Sequence, residues 1–250
     1  MELYFELQKT PVFTIDDVNL LYGNIESARS AVKRLVAKGL VEKIRNNMYT
    51  CISGETESPI ANRYQIACAL TPTAFISHHT AAEYYGIHDQ VFYEVYVSSE
   101  TRFNDFEFDG YTYRYVASKC TEGIETVKYS GGVRITDRER TLIDSIKDME
   151  KIAGIEEVLA IIEKLSDLNE EKLLRYLDCY QNQFLYQKTG FLLKHYQQQC
   201  GVSDNFFKTC IGKKGLSKRY LTKECKNGKY NVEWGLVVPK NLFSVKNGGY

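Results

Sequence analysis

The spacing of apolar and polar positions near the start of the chain predicts a short helix. Thr14 stands where a helix N-cap belongs, and Val18, Leu20 and Leu21 give the following turn and a half an apolar face. Gly23 suits the left-handed residue that ends a helix. We therefore expect one short helix between Thr14 and Gly23.

A second helix is predicted over residues 26–38, before Gly39, which suits a helix C′ position. Four apolar residues recur there at helical spacing and predict one buried stripe: Ala28, Val32, Leu35 and Val36. Residues 40–52 then flank Asn46-Asn47, and asparagine tolerates the positive φ of a hairpin turn. Helix, turn, helix and hairpin together predict a winged helix-turn-helix domain over residues 1–54.

The charge of this segment indicates DNA binding, because residues 24–50 carry six basic and two acidic side chains. A helix that reads DNA needs small polar residues near base edges and basic residues near phosphates. The residues that we predict to contact DNA are Ser27, Arg29, Ser30, Lys33, Arg34, Lys43, Arg45, Asn46 and Asn47. A winged helix that contacts only protein, with a solvated basic face, is the alternative.

The remaining residues, 55–250, are predicted to form one larger α+β domain. Five segments between residues 91 and 136 alternate and are rich in β-branched and aromatic residues, which predicts an antiparallel sheet. Asp109-Gly110 and Gly131-Gly132 are the expected hairpin turns. Helices are expected near residues 61–70, 77–85 and 137–200, and a strand within residues 231–239.

Apolar content and cysteine spacing lead us to expect a cytoplasmic chain. No stretch approaches the roughly 20 apolar residues that cross a bilayer, and the first residues lack a signal-peptide pattern. The seven cysteines have no Cys-x-x-Cys spacing, so we expect reduced thiols. They are Cys51, Cys68, Cys120, Cys179, Cys200, Cys210 and Cys225.

The sequence offers little that points to enzyme chemistry. It has no Gly-rich phosphate loop and no nucleophile motif. Its four histidines, at 78, 79, 88 and 195, lack partners at metal-ligand spacing. We predict no catalytic residue, no metal and no cofactor, and expect that the protein is not an enzyme.

Three segments together resemble a known family. They are Arg45-Asn46-Asn47-Met48-Tyr49, residues 75–87 (FISHHTAAEYYGI) and residues 133–144 (VRITDRERTLID). The chain resembles the AbiEi antitoxins of type IV toxin–antitoxin (abortive infection) systems over roughly residues 5–200. The signature residues of the third segment, whose role we do not assign, are Thr136, Asp137, Glu139, Arg140, Thr141 and Asp144. A helix cap with buried polar pairing is the simpler explanation for them.

The resemblance implies two activities in phage defence. The winged helix would repress the system's own promoter at inverted repeats in double-stranded DNA. The larger domain would counteract a nucleotidyltransferase-type toxin without forming a stable complex. The family often has Arg-Gly-x-Tyr in the wing, and this chain has Asn46-Asn47 at that place.

Two alternatives remain open. One is a metal-dependent nucleic-acid enzyme with a DNA-targeting winged-helix head, whose candidate carboxylates are Asp105, Glu107, Asp109, Asp137, Glu139 and Asp144. The other is a scaffold whose basic tail contacts the toxin, RNA or DNA. It is motivated by ten basic and three acidic side chains in residues 201–250.

Overall fold

The structure is a computed structural model that describes residues 2–88 and 90–243. The chain forms two compact units, each assembled from several segments. The first comprises the residues up to Ile76, Phe92–Ser118 and Ile124–Ile135. The second comprises Ser77–Val91, Lys119–Gly123 and the chain from Thr136 onward. Both units contain helices and strands, which agrees with the predicted α+β class.

The first unit begins with three helices and a hairpin. They are α1 (Glu2–Leu7), α2 (Ile15–Tyr22), α3 (Ile25–Ala37), β1 (Val41–Arg45) and β2 (Met48–Cys51). The Thr14 side chain accepts a hydrogen bond from the Asp17 amide, and the Asp17 side chain accepts one from the Thr14 amide. Gly23 ends α2 at φ 64°, and the Asn24 side chain caps α3. The predicted helix starts and stops between Thr14 and Gly39 are therefore confirmed.

The apolar faces of these helices differ from the predicted ones. Val18 is fully buried, but Leu20 is 84% and Leu21 is 56% exposed. In α3, Val36 was expected to be buried but is 39% exposed, whereas Ala31 is buried. The two helices pack through Val18, Ala28 and Val32 in one small core, so each buries a narrower stripe than was predicted.

A helix and a six-stranded sheet complete the first unit. Its elements are α4 (Arg63–Ala69), β3 (Phe75–Ile76), β4 (Glu94–Ser99), β5 (Phe106–Phe108), β6 (Tyr111–Ala117), β7 (Ile124–Thr126) and β8 (Arg134–Thr136). The strand order is β5-β6-β4-β3-β8-β7. Pair β5–β6 is antiparallel, as predicted. Pair β3–β4 is also antiparallel, although β3 was not predicted as a strand, whereas β4–β6 and β3–β8 are parallel. In both parallel pairs, other strands of the same sheet lie between the partners in the chain: β5 lies between β4 and β6, and β4 to β7 lie between β3 and β8. Local patterning does not show this strand order.

The N-terminal elements and this sheet belong to one compact unit, although the sequence analysis placed a domain boundary after residue 54. The Ile60 amide donates to the Cys51 carbonyl, and the Ala61 amide donates to the Thr50 hydroxyl at 3.2 Å. These bonds continue the packing of the hairpin past the expected boundary. Separate folding of residues 1–54 stays a prediction.

The second unit is mainly helical. Its helices are α5 (His78–Tyr84), α6 (Arg138–Lys147), α7 (Ile155–Glu163), α8 (Glu170–Tyr180), α9 (Gln183–His195), α10 (Gln197–Cys200) and α11 (Asp204–Lys213), with 3₁₀ turns at Met149–Ile152 and Cys225–Asn227. Leu142, Ile161, Leu177 and Leu192 are fully buried in its core. Trp234 packs on α9, where a Cβ at Gly190 would lie only 2.1 Å from the indole ring. Gly190 therefore permits this close contact.

A small sheet closes the second unit. Its strands are β9 (Arg219–Tyr220), β10 (Lys229–Asn231) and β11 (Leu236–Val238), in the order β10-β11-β9. Strand β11 confirms the strand predicted within residues 231–239. Its Leu236 and Val238 side chains join the core, since alternate residues of a strand point to the same face.

The cysteines depart from the expectation of seven reduced thiols. Cys120 and Cys179 form a disulfide, with their Cα atoms 5.9 Å apart. Both lie in the second unit, at positions 59 residues apart, so sequence spacing could not reveal the pair. The other five cysteines are free and buried.

None of the helices among the described residues combines the length and the apolar character that a transmembrane span requires.

Candidate nucleic-acid interface

One face of α3 carries the residues predicted to read DNA. Ser27, Ser30, Arg29, Lys33 and Arg34 are all exposed, while the opposite face of the helix is buried against α2. The spacing of 3.6 residues per turn separates the two faces. The small serines lie among longer basic side chains, so this face can approach base edges and phosphates at once.

Arg29 makes an ion pair with Glu26, one turn earlier, at 2.7 Å. Both side chains are well exposed, at 61% and 74%. Exposed pairs of this kind are worth about 0–1 kcal/mol, so a phosphate can replace the carboxylate at little cost. The pair leaves Arg29 available for an anionic partner.

The hairpin presents further polar groups beside α3. Lys43 and Asn46 are exposed, and Lys43 lies opposite Tyr49 in the β1–β2 register. Phe13 pairs antiparallel with Tyr49 and adds a third backbone segment to the hairpin. This pairing holds the hairpin against the helices.

Asn47 has a structural role in addition to its predicted one. It adopts φ 55°, whereas Asn46 is not left-handed. Its Oδ1 accepts a hydrogen bond from the Ile15 amide at 3.0 Å, and its Nδ2 donates to Asp16 at 3.4 Å. Asn47 thus fixes the hairpin turn on the start of α2.

This role makes Asn47 sensitive to substitution. Asn47→Ala should lower the free energy of unfolding by about 2 kcal/mol, because it loses a hydrogen bond worth about 1 kcal/mol and because alanine adopts the left-handed region less readily than asparagine, at a similar cost. Asn46→Ala is the matched control and should change stability by less than about 0.5 kcal/mol. Urea unfolding measures both, and equal effects would refute the assigned role.

Arg45 is less exposed than the other basic residues of this surface, and its contact with DNA stays a prediction. Its guanidinium carbon lies 5.9 Å from the Phe103 ring centroid and 5.2 Å from that of Phe106. The side chain is half-buried, and its Nη1 has no hydrogen-bond partner among the described residues. Arg45 therefore joins the hairpin to the loop before β5 by cation–π contact.

A surface depression lies between α3 and the hairpin. Its volume is about 650 Å³, and Arg29 and Lys33 line one side while Lys43, Asn46 and Asn47 line the other. Ile25, Val32 and Val36 form part of its wall. The structure thus brings together residues from two predicted DNA-contacting segments around one concave surface.

The signature residues lie in the second unit and form a buried polar network. Arg140 and Asp144 are each 1% exposed, and Arg140 Nε donates to Asp144 Oδ1 at 2.9 Å. The remaining Arg140 donors reach the carbonyls of Glu122 and Cys120 and the Tyr180 hydroxyl. The Tyr180 hydroxyl in turn donates to Asp144. This network joins α6 to α8 and to the segment before β7.

Electrostatics keeps this network charged. Burial by itself would lower the pKa of Arg140, but the neighbouring Asp144 and Tyr180 raise it above the ordinary value. Burial and Asp144 raise the pKa of Tyr180. The arrangement is therefore an ion pair in which the Arg140 guanidinium donates four hydrogen bonds, as a buried cation needs, whereas Asp144 Oδ2 has no hydrogen-bond partner among the described residues.

Asp137, rather than Thr136, is the N-cap of α6. The Asp137 side chain accepts from the Arg140 amide at 2.8 Å, and also from Lys172 and Tyr176. Thr136 instead shares a buried hydrogen bond with Thr141 at 2.8 Å. The helix cap expected among the signature residues therefore lies at Asp137.

Glu139 contributes to the packing of α6 in another way, because its Oε1 accepts from the Asn169 amide at the start of α8. With these contacts, all six signature residues lie in or beside the packing of α6. The signature thus has a structural explanation in the second unit.

The candidate carboxylates of the enzyme alternative fall into two groups. Asp105, Glu107 and Asp109 are exposed in the first unit, where Asp105 pairs with Arg114 at 3.2 Å. Asp137, Glu139 and Asp144 accept hydrogen bonds from the basic side chains and backbone amides described above. Among the described residues, no three His, Cys, Asp or Glu side chains are grouped as a metal site would require.

The histidines occupy structural positions. His78 is buried, and its Nε2 lies 3.2 Å from Asp148. Burial by itself would raise the pKa of Asp148, but hydrogen bonds from His78 and Lys147 lower it far below its usual range. The His79 and His88 rings meet edge to face with centroids 5.3 Å apart.

The second unit also contains a large open cavity that the sequence did not indicate. Its volume is about 1470 Å³, and Lys188 lies in its wall with Phe184 and Tyr220. Lys188 is 7% exposed and donates to the carbonyls of Ile146 and Lys147 at the end of α6. Burial lowers the pKa of Lys188 to about 8.

This buried amine predicts a pH dependence of stability. Between pH 8 and 10.5 the unfolded chain binds a proton at this lysine and the folded chain does not, so the free energy of unfolding should rise through that window. Lys188→Met should remove a rise on the order of 3 kcal/mol relative to the wild type. Urea unfolding across the window measures it, and parallel curves would contradict the assignment.

Comparison with known proteins adds a fold likeness. No family model and no curated protein matches the chain. Among solved structures, the crystal structure of the RV2827C protein from Mycobacterium tuberculosis is similar, with a TM-score of 0.67 and 14% sequence identity. The match covers 94% of this chain and 89% of that one. At this identity, the likeness concerns the fold alone.

Proposed function

We propose that the protein is a DNA-binding transcriptional regulator whose α2, α3 and β1–β2 hairpin act as a winged helix-turn-helix. The observation that carries the proposal is the exposed row of small and basic residues on α3, which faces Lys43 and Asn46 across one depression. This surface has the composition and concavity that suit a duplex.

The binding mode follows from the positions of these side chains. Helix α3 enters the major groove, which is about 12 Å wide and admits one helix. Ser27 and Ser30 lie near base edges, while Arg29, Lys33 and Arg34 contact phosphates. Lys43 and Asn46 contact the same strand from the hairpin, so one phosphate backbone follows the depression.

The proposal is tested with the DNA upstream of the gene itself. We expect the protein to bind a duplex carrying that segment, with its inverted repeats, more tightly than a duplex in which the same bases are shuffled. Fluorescence anisotropy with labelled duplexes at fixed salt gives both dissociation constants. Equal affinity would remove the regulatory part of the proposal, and no affinity for either duplex would remove DNA binding.

The resemblance to AbiEi antitoxins supports a second part of the proposal. In that case residues 55–250 act as the antitoxin domain in the cytoplasm and counteract a nucleotidyltransferase-type toxin without stable contact. Expression of the neighbouring toxin gene with and without this chain tests it. Growth that the full chain does not restore would count against the antitoxin role and would leave DNA binding unaffected.

A further inference from the structure

The outer face of the β9–β11 sheet carries two exposed tyrosines in register. Tyr230 lies opposite Val237 in the antiparallel pair, and Val237 lies opposite Tyr220 in the parallel pair. Residues directly opposite one another point to the same face of a sheet. Tyr230, Val237 and Tyr220 therefore form one row across three strands.

This row faces away from the core. Leu236 and Val238, the neighbours of Val237 on β11, belong to the hydrophobic core, so alternation places Val237 on the opposite face. Val237 is only 4% exposed, whereas Tyr220 is 48% and Tyr230 is 44% exposed. The two tyrosine side chains thus lie on either side of the buried Val237 side chain, and their rings are partly exposed to solvent.

The surroundings of the row are basic. Residues 214–232 include six basic side chains and one acidic side chain. Lys218 is exposed, with its Nζ 5.3 Å from the Tyr230 ring centroid. A cation therefore lies beside a ring of the row.

From this combination we propose that the outer face of the β9–β11 sheet binds single-stranded nucleic acid. Exposed aromatic rings on a sheet stack bases, and the basic side chains around them hold the phosphates. The two edge strands are separated by two strand spacings, about 10 Å, so the tyrosines engage two bases of one extended strand. This site goes beyond the proposed duplex binding, because its residues all lie in the second unit.

The test measures binding of the full chain to labelled ten-nucleotide probes of uridine or deoxythymidine at low salt. Tyr220→Leu/Tyr230→Leu should weaken binding at least about 25-fold, since each stacked base contributes a factor of about five or more. Tyr220→Phe/Tyr230→Phe keeps the rings and should stay within about twofold of the wild type. Tyr129→Leu, which removes a fully exposed tyrosine of the first unit, is the matched control and should have no effect.

A further variant tests the cation beside the row without disturbing packing. Lys218→Ala should reduce the slope of log affinity against log salt by about 0.7, which corresponds to one phosphate contact on a single strand. Preference for the uridine probe would indicate a ribose contact, and equal affinity would indicate recognition of stacking and phosphate alone. Either result supports the site.

Failure of this site is separable from failure of duplex binding. Arg29→Ala/Lys33→Ala should leave single-strand binding unchanged, and the tyrosine variants should leave duplex binding unchanged. No binding of either probe by the wild type would overturn the inference. Unchanged affinity in both the leucine and the lysine variants would overturn it as well.

Discussion

Replacing Arg29 and Lys33 together by alanine is expected to weaken binding to duplex DNA about one hundredfold at about 0.1 M salt. Each phosphate contact changes the logarithm of affinity by about 0.9 for each tenfold change in salt. The concentration of 0.1 M lies one tenfold step below 1 M salt, so the loss of two contacts lowers affinity at 0.1 M by almost two powers of ten. Anisotropy titrations of the wild type and the variant measure the difference.

A matched control separates this surface from net charge. Lys9→Ala/Lys128→Ala removes two exposed lysines of the same unit, and Lys9 pairs with Glu6 one turn away, as Arg29 pairs with Glu26. We expect the control to retain duplex affinity within about threefold, since it removes no predicted phosphate contact. Equal weakening in the two double variants would show that charge alone drives the effect.

Arg140→Met is expected to lower the free energy of unfolding by about 3–5 kcal/mol, because it leaves Asp144 buried without its cation. Asp144→Leu should have an effect of similar size, since it leaves a guanidinium 1% exposed. Arg140→Met/Asp144→Leu should cost less than the two single changes added together, because no unpaired charge remains. Urea unfolding at pH 7 with the Cys120–Cys179 disulfide intact measures these values.

The outcome that contradicts this account is equally specific. Single variants within about 1 kcal/mol of the wild type would mean that Arg140 and Asp144 are not a coupled pair. In that case, the signature segment would need an explanation other than the packing of α6.

Local patterning predicted much of the first unit. Caps at Thr14, Gly23 and Gly39 and the turn at Asn47 depend on short-range backbone geometry, which sequence spacing reports directly. The burial pattern was harder to predict, because exposure of Leu20 and Leu21 depends on which neighbours cover α2. Helix α1 was missed, because its six residues are too short for a clear period.

Long-range contacts explain most of what the sequence did not reveal at the candidate interface. Arg45 was predicted to contact DNA from its position beside a turn, but Phe103 and Phe106 lie almost sixty residues away in the chain. Nothing in the spacing of residues 40–52 indicates that pair. The exposed α3 residues were easier to predict, since helical periodicity separates them from the buried Ala28 and Val32.

In the second unit, too, local features were predictable from the sequence and long-range contacts were not. Apolar periodicity indicated helices after residue 136, but the partners of the Arg140 side chain other than Asp144 lie 18 to 40 residues away. Strands β9 and β10 are two and three residues long, too short for alternation to stand out. The row of Tyr220, Val237 and Tyr230 could therefore emerge only from strand pairing.

The central claim is that the exposed face of α3 and the hairpin lie against a duplex. The most direct test is the slope of log affinity against log salt for the wild type and for a variant with Arg29, Lys33, Arg34 and Lys43 all changed to alanine. We expect the slope to become shallower by about 3.6, because four phosphate contacts of about 0.9 each are lost. An unchanged slope, with duplex affinity retained, would contradict the account.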